Sequence, residues 1–273
     1  MRNGIAFVLM LMVCALGFPA PAFTLSLDRL SEGEVALREA IMKKVVPFVD
    51  QQKSEGTAPL ITFEELYAGL IAREVAFLEE FRAADPQKFG GSSRRLPAPD
   101  PGTLIVEVEP QRVLRDGKPT LLDAQYLPLP VHEAYRQMMA AMEISLGKRL
   151  LVESGYRSPA YQLYLFLFYM PKHGYSVHET NRFVALPGCS EHGSPSFQAI
   201  DFITPEGING EDRPEEFEEL QEYSWLHARA HEFGFHLSYP RGGQVAFEPW
   251  HWHWEGEKGR ESNEQERRIQ GGS

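Results

Sequence analysis

Only two cysteines occur in the 273 residues, Cys14 and Cys189, and the first falls inside an apolar N-terminus. Once that N-terminus is removed a single thiol remains. No disulfide can then staple the fold, and stability must come from a packed core and from any bound metal. Positive charge is also scarce, since 27 Lys and Arg face 38 Asp and Glu for a net charge of -11. Nucleic acids and anionic membrane surfaces both require basic patches, so this balance argues against either as a partner. Long apolar runs are missing as well, apart from one near the start that is short for a bilayer span.

That run extends from Ile5 to about Phe18, follows the single cation Arg2, and precedes the small-residue step Ala20-Pro21-Ala22. Residues 1–22 therefore read as a secretory signal peptide, which places the mature chain in the periplasm or outside the cell, without a membrane span after cleavage. Cys14 lies within the apolar run behind Val13, a poor setting for lipid attachment.

What is present has order. Ser31 with Glu34, and Thr62 with Glu65, have capping-box spacing ahead of amphipathic runs, Val35, Ile41, Val45 and Val49 in one and Leu66, Leu70, Val75 and Leu78 in the other. Residues 23–89 are predicted to form an N-terminal helical hairpin. The Gly-, Ser- and Pro-rich stretch 90–102 reads as a linker. Beyond it, strand-like segments at 103–109, 148–156, 199–204 and 244–254 alternate with helical segments at 131–144, from Ser158 and Pro159 to about Met170, and at 214–234. The pattern predicts an α+β domain over 103–256, helices packed on a small antiparallel sheet. The polar tail 257–273 reads as disordered.

Two pairs stand out for chemistry. His192 and Asp201 flank one loop-to-strand segment, and Glu248 and His251 lie three apart around Pro249, a residue that breaks a strand. A catalytic zinc takes three protein ligands and keeps one position open, with a carboxylate nearby to accept a proton. His192, Asp201 and His251 could supply the ligands and Glu248 the base, although nine histidines and 38 acidic residues allow many other triplets.

The segments "SGYRSPAYQ", "PGCSEH" with "AIDF", "YSWLHARAHEFGFHLSYP" and "EPWHWHW" occur in the order found in zinc D-alanyl-D-alanine carboxypeptidases and dipeptidases of the VanY and VanX type. The chain resembles that family over about residues 120–256. The family pattern S-x-H-x-x-G-x-A-x-D followed by E-x-W-H falls on Ser190, His192, Ala199, Asp201, Glu248, Trp250 and His251. The resemblance implies zinc on His192, Asp201 and His251, Glu248 as catalytic base, and Arg157 and Ser190 as substrate contacts, Arg157 also steadying the oxyanion. It implies peptidoglycan stem peptides as substrate, with removal of a terminal D-alanine as the reaction. A peptidoglycan endopeptidase and a non-catalytic wall-binding protein with a structural metal are the alternatives.

One departure from the pattern is plain. His192 and Asp201 are two residues further apart than the family spacing, and Gly193 stands beside the histidine rather than later. A short insertion costs little loop entropy, so "GSPSFQ" is expected to bulge outward while Asp201 keeps its place, ahead of Glu206 and Asp212 as alternative ligands. His253 should share the strand side of His251 and contact substrate or support the ligands. His227 and His231 read as core-boundary residues, Trp250, Trp252 and Trp254 as packing, and Cys189 as a small buried residue.

Overall fold

The computed structural model describes residues 28–89, 94–100, 102–243 and 246–256. The expectations for the signal peptide and the polar tail fall outside these residues.

Helix α1 (Glu32–Ser54) starts where the sequence places it. Ser31 caps it, and the Glu34 carboxylate accepts from the Ser31 N–H at 2.7 Å. The predicted second helix is two: α2 (Phe63–Tyr67), opened by Thr62 and Glu65, and α3 (Ala72–Ala83). The break comes at Gly69, a poor helix former, and Glu74 accepts from the Ile71 N–H at 2.9 Å to start a new first turn. Strands β1 (Ile105–Glu107), β2 (Arg112–Arg115), β3 (Lys118–Leu121) and β4 (Tyr126–Pro128) follow, pairing β1 with β4 and β2 with β3. Then come α4 (Leu129–Leu146), β5 (Leu151–Ser154), α5 (Pro159–Tyr169), the short α6 (Val177–Asn181) and β6 (Gln198–Ile203). Helices α7 (Pro214–Glu218) and α8 (Gln221–Arg229) replace the single helix expected over 214–234, and β7 (Phe235–Leu237) and β8 (His251–Trp254) complete the chain.

Strands β5, β6, β8 and β7 form one antiparallel four-stranded sheet in that order, the α+β arrangement expected from the sequence. Side chains alternate across a sheet, and here the alternation separates core from site. Ile200, Phe202 and Trp252 point into a core built with Val131, Tyr135, Met138 and Met142 of α4 and Trp225 and Leu226 of α8. Asp201, His251 and His253 point the other way.

A second core joins the N-terminal helices to α5. Ile41, Val45 and Val49 of α1 and Phe77, Leu78 and Phe81 of α3 cluster with Leu163, Phe166 and Leu167, all 5% exposed or less. Ser158, which caps α5, also donates its N–H to Pro59 O at 2.8 Å and its hydroxyl to Ile61 O. The hairpin and the catalytic-sized region thus share one apolar interior.

Candidate metal centre

Strand register does most of the convergence. Asp201 of β6 and His251 of β8 are direct partners across the ladder, so both side chains leave the same face side by side. Strand β8 begins only at His251, and the His251 N–H bonds Glu248 O at 3.2 Å. The chain therefore turns at Pro249, which brings the Glu248 carboxylate to 3.8 Å from His251 Nδ1.

His192 arrives from a 3-10 turn, Glu191–Gly193. Its ring Nδ1–H donates to Gly155 O at 2.8 Å, and its own carbonyl accepts from the Arg157 N–H at 2.9 Å. A Cβ on residue 155 would lie 2.4 Å from Tyr126 O, so only glycine fits at the point where this bond is made. One donor or acceptor atom from each of His192, Asp201 and His251 then lies within 4.8 Å of the others.

The insertion between His192 and Asp201 does not bulge outward. It coils into a second 3-10 turn, Pro195–Phe197, with Ser194 and Gln198 fully buried and Phe197 stacked 4.0 Å from the His253 ring. Inward packing of an aromatic ring outweighs the small entropic ease of a loose loop. Cys189 is half-buried beside the α5 core, less enclosed than the sequence suggested.

Charge in this cluster is unbalanced in a way a dication would correct. With Nδ1–H committed to Gly155, His192 Nε2 is a lone pair, buried without a hydrogen-bond partner, and it faces Asp201 Oδ2 at 3.1 Å. Two acceptors at that separation repel unless a cation lies between them. Burial, helped by the Arg157 cation, pushes the His192 pKa down to about 4, so the ring is neutral and able to ligate at neutral pH. Burial would raise Asp201, but the His251 cation outweighs it and holds the carboxyl far below the usual range. For His251, burial pulls downward, yet Asp201 Oδ1 at 2.8 Å and Glu191 Oε2 at 3.0 Å prevail and raise it to about 10. Glu248 moves the other way. Burial, with Asp201 and Glu191 adding to it against the pull of His251, lifts it to about 7, where it can take up and release a proton.

Glu191 was not singled out by the sequence. It bonds His251 Nε2 and accepts from Ser238 Oγ at 2.7 Å, and Ser238 in turn meets His253 Nδ1 at 2.8 Å. His253 Nε2 lies 3.1 Å from Glu255 Oε1, so both ring nitrogens are engaged and His253 reaches the cluster through Ser238 and Glu191. Tyr239 packs its ring 5.0 Å from His251 and was likewise missed. The signal for Glu191 was its position beside His192; no spacing pointed to Tyr239.

Ser190 is buried at the head of the 3-10 turn, and Arg157 is half-buried with its Nε unpaired. Trp252 is core, while Trp250 packs over Gly210 and Trp254 over Gly234 and Gly256. His227 is exposed and bonds the Tyr223 hydroxyl at 2.9 Å, away from the cluster.

Residues 124–257, which contain every one of these site residues, match the family model for D-alanyl-D-alanine carboxypeptidase, VanY. Over that segment, just under half of the chain, the sequence is similar to the VanY family. Among solved structures, an LdcB LD-carboxypeptidase shares the fold at a TM-score of 0.50 and 23% identity, covering 64% of this chain and 79% of its own. A VanY D,D-pentapeptidase from a VanB-type resistance cassette, bound to Zn(II), aligns at 0.42 and 20% identity, covering 63% and 89%. VanYB in complex with D-alanine-D-alanine aligns at 0.42 and 22% identity, covering 66% and 90%. No curated protein matches the chain in sequence. The VanY-family segment begins just before β4, so α1 to α3 lie outside it.

Proposed function

We propose that the protein is a secreted zinc peptidase that removes the terminal D-alanine from peptidoglycan stem peptides. The observation that supports this most directly is the facing pair of acceptors, His192 Nε2 and Asp201 Oδ2, beside His251 and within reach of Glu248. His192, Asp201 and His251 would hold the zinc, a donor set of two imidazoles and a carboxylate that suits it. The chemistry that a zinc ion supplies in such a site is Lewis-acid polarisation of the scissile carbonyl and acidification of a water.

The remaining work falls to the chain's own groups. Glu248, at a pKa of about 7, accepts the proton of the attacking water and delivers it to the leaving amine. Arg157 offers a cation whose Nε has no partner among the described residues, matched to a substrate carboxylate or the developing oxyanion. Glu191 holds the His251 ring, and Gly155 O holds that of His192.

Secretion rests on the apolar run and small-residue step of residues 1–22. None of the helices among the described residues is long and apolar enough to cross a membrane. The test is mass spectrometry of stem pentapeptide incubated with the zinc-loaded mature chain. Loss of one alanine supports the reading. Cleavage only of cross-linked dimers, or no cleavage of any wall fragment, replaces it.

A further inference from the structure

The N-terminal hairpin does more than share a core with α5. Between the two lies a cavity of about 200 Å3, and its walls come from both. Lys53, Ala58 and Pro59 close it on the hairpin side, and Glu153, Ser154 and Arg157 on the other. Ser154 is the register partner of Asp201, so the cavity begins one strand away from the proposed metal ligands. The space is large enough to admit a small amino acid rather than a single water.

Its charges also fit one amino acid. Arg157 Nε is buried without a partner, and Lys53 brings a second cation, which is held 3.8 Å from Asp50 and lies over the Tyr164 ring at 5.4 Å. Asp123 lines the same space with the opposite sign, beside Glu153. A carboxylate would pair with the cations, and the amine released by cleavage with Asp123. The hairpin wall is firmly placed, because Ser158, the residue after Arg157, bonds both Pro59 O and Ile61 O.

We propose that the turn after α1 is the end wall of the substrate cleft, and that Lys53 joins Arg157 in holding the free carboxylate of the residue that is released. This rests on the carboxypeptidase reading and goes beyond the matched family segment, which excludes residue 53. In the wild-type mature chain, a peptide ending in D-Ala-D-Ala with a free carboxylate is cleaved about 10- to 100-fold better, in kcat/KM, than its C-terminal amide, the range a hydrogen-bonded charge supplies. A peptide extended by one residue is not cut at the same bond. Lys53→Met keeps the stem over Tyr164 and removes the charge. It raises KM for the free acid and lowers the acid-to-amide ratio about tenfold. Lys53→Arg restores the ratio. An unchanged ratio in Lys53→Met overturns the end wall and leaves the carboxypeptidase reading intact, whereas efficient cutting of the extended peptide by the wild type overturns both. Failure of the wild type on all three peptides overturns both.

Discussion

At the scale of single residues, the site depends on which atoms are already committed. Gly155 O fixes one His192 nitrogen and leaves the other bare, and Glu191 does a comparable service for His251. Replacing Glu191 with Gln is expected to weaken zinc binding about 10- to 100-fold, the usual effect of losing an outer support of a ligating histidine, as read by competition with a chromogenic chelator. Unchanged affinity would remove Glu191 from the account. Glu248→Gln should behave differently, keeping its zinc in metal analysis while turnover drops by about 100-fold or more. A second carboxylate gives a pH signature. Burial, with Asp201 nearby, raises Glu153 to about 7, whereas an unfolded glutamate titrates near 4.3. Between those values the folded chain keeps a proton that the unfolded chain has lost, so stability falls as pH rises through that window. Glu153→Gln removes this contribution. Its Tm should fall less than that of the wild type between about pH 5 and about pH 8, and an equal fall in both would contradict the assignment.

At the scale of elements, what the sequence made legible were starts and faces. Ser31, Thr62 and Ser158 cap the helices expected of them, and alternation in "AIDFIT" places Asp201 opposite the core residues Ile200 and Phe202. Hidden were the events that need a third dimension. The hairpin of β2 and β3 turns through Asp116 and Gly117, both at positive φ, a two-residue signal flanked by too little alternation to notice. The helix expected over 214–234 is interrupted between Glu218 and Gln221, though no proline or glycine marks the place. The enlarged loop packs inward because Phe197 finds the His253 ring, a contact that loop entropy alone cannot foretell. Gly155 shows the same limit. Its place in "SGYRS" was visible, but the 2.4 Å approach to Tyr126 O was not. Gly155→Ala must push β4 or the carbonyl that holds His192. Zinc affinity is expected to fall along with Tm, and a variant with normal zinc affinity would show that the Gly155 carbonyl is dispensable.

At the scale of the whole molecule, the hairpin and the VanY-family segment are joined through one interior. Leu163, Phe166 and Leu167 of α5 are covered by α1 and α3. Deleting everything before Thr103 should bare that face, giving aggregation or a broadened melting transition rather than a smaller, fully active enzyme. A soluble, cooperatively folding fragment would refute the shared core. Leu163→Ala is the gentler version, expected to cost about 2–5 kcal/mol in a single cooperative transition.

The central claim is that three side chains from distant parts of the chain hold one zinc ion. Calorimetric titration of the metal-free mature chain with zinc tests it most directly, with Asp201→Ala as the comparison. One ion per chain is expected in the wild type, and a loss of affinity greater than about 100-fold in the variant, beyond what disturbing an outer support produces. Equal binding by both proteins, or none by the wild type, would contradict it.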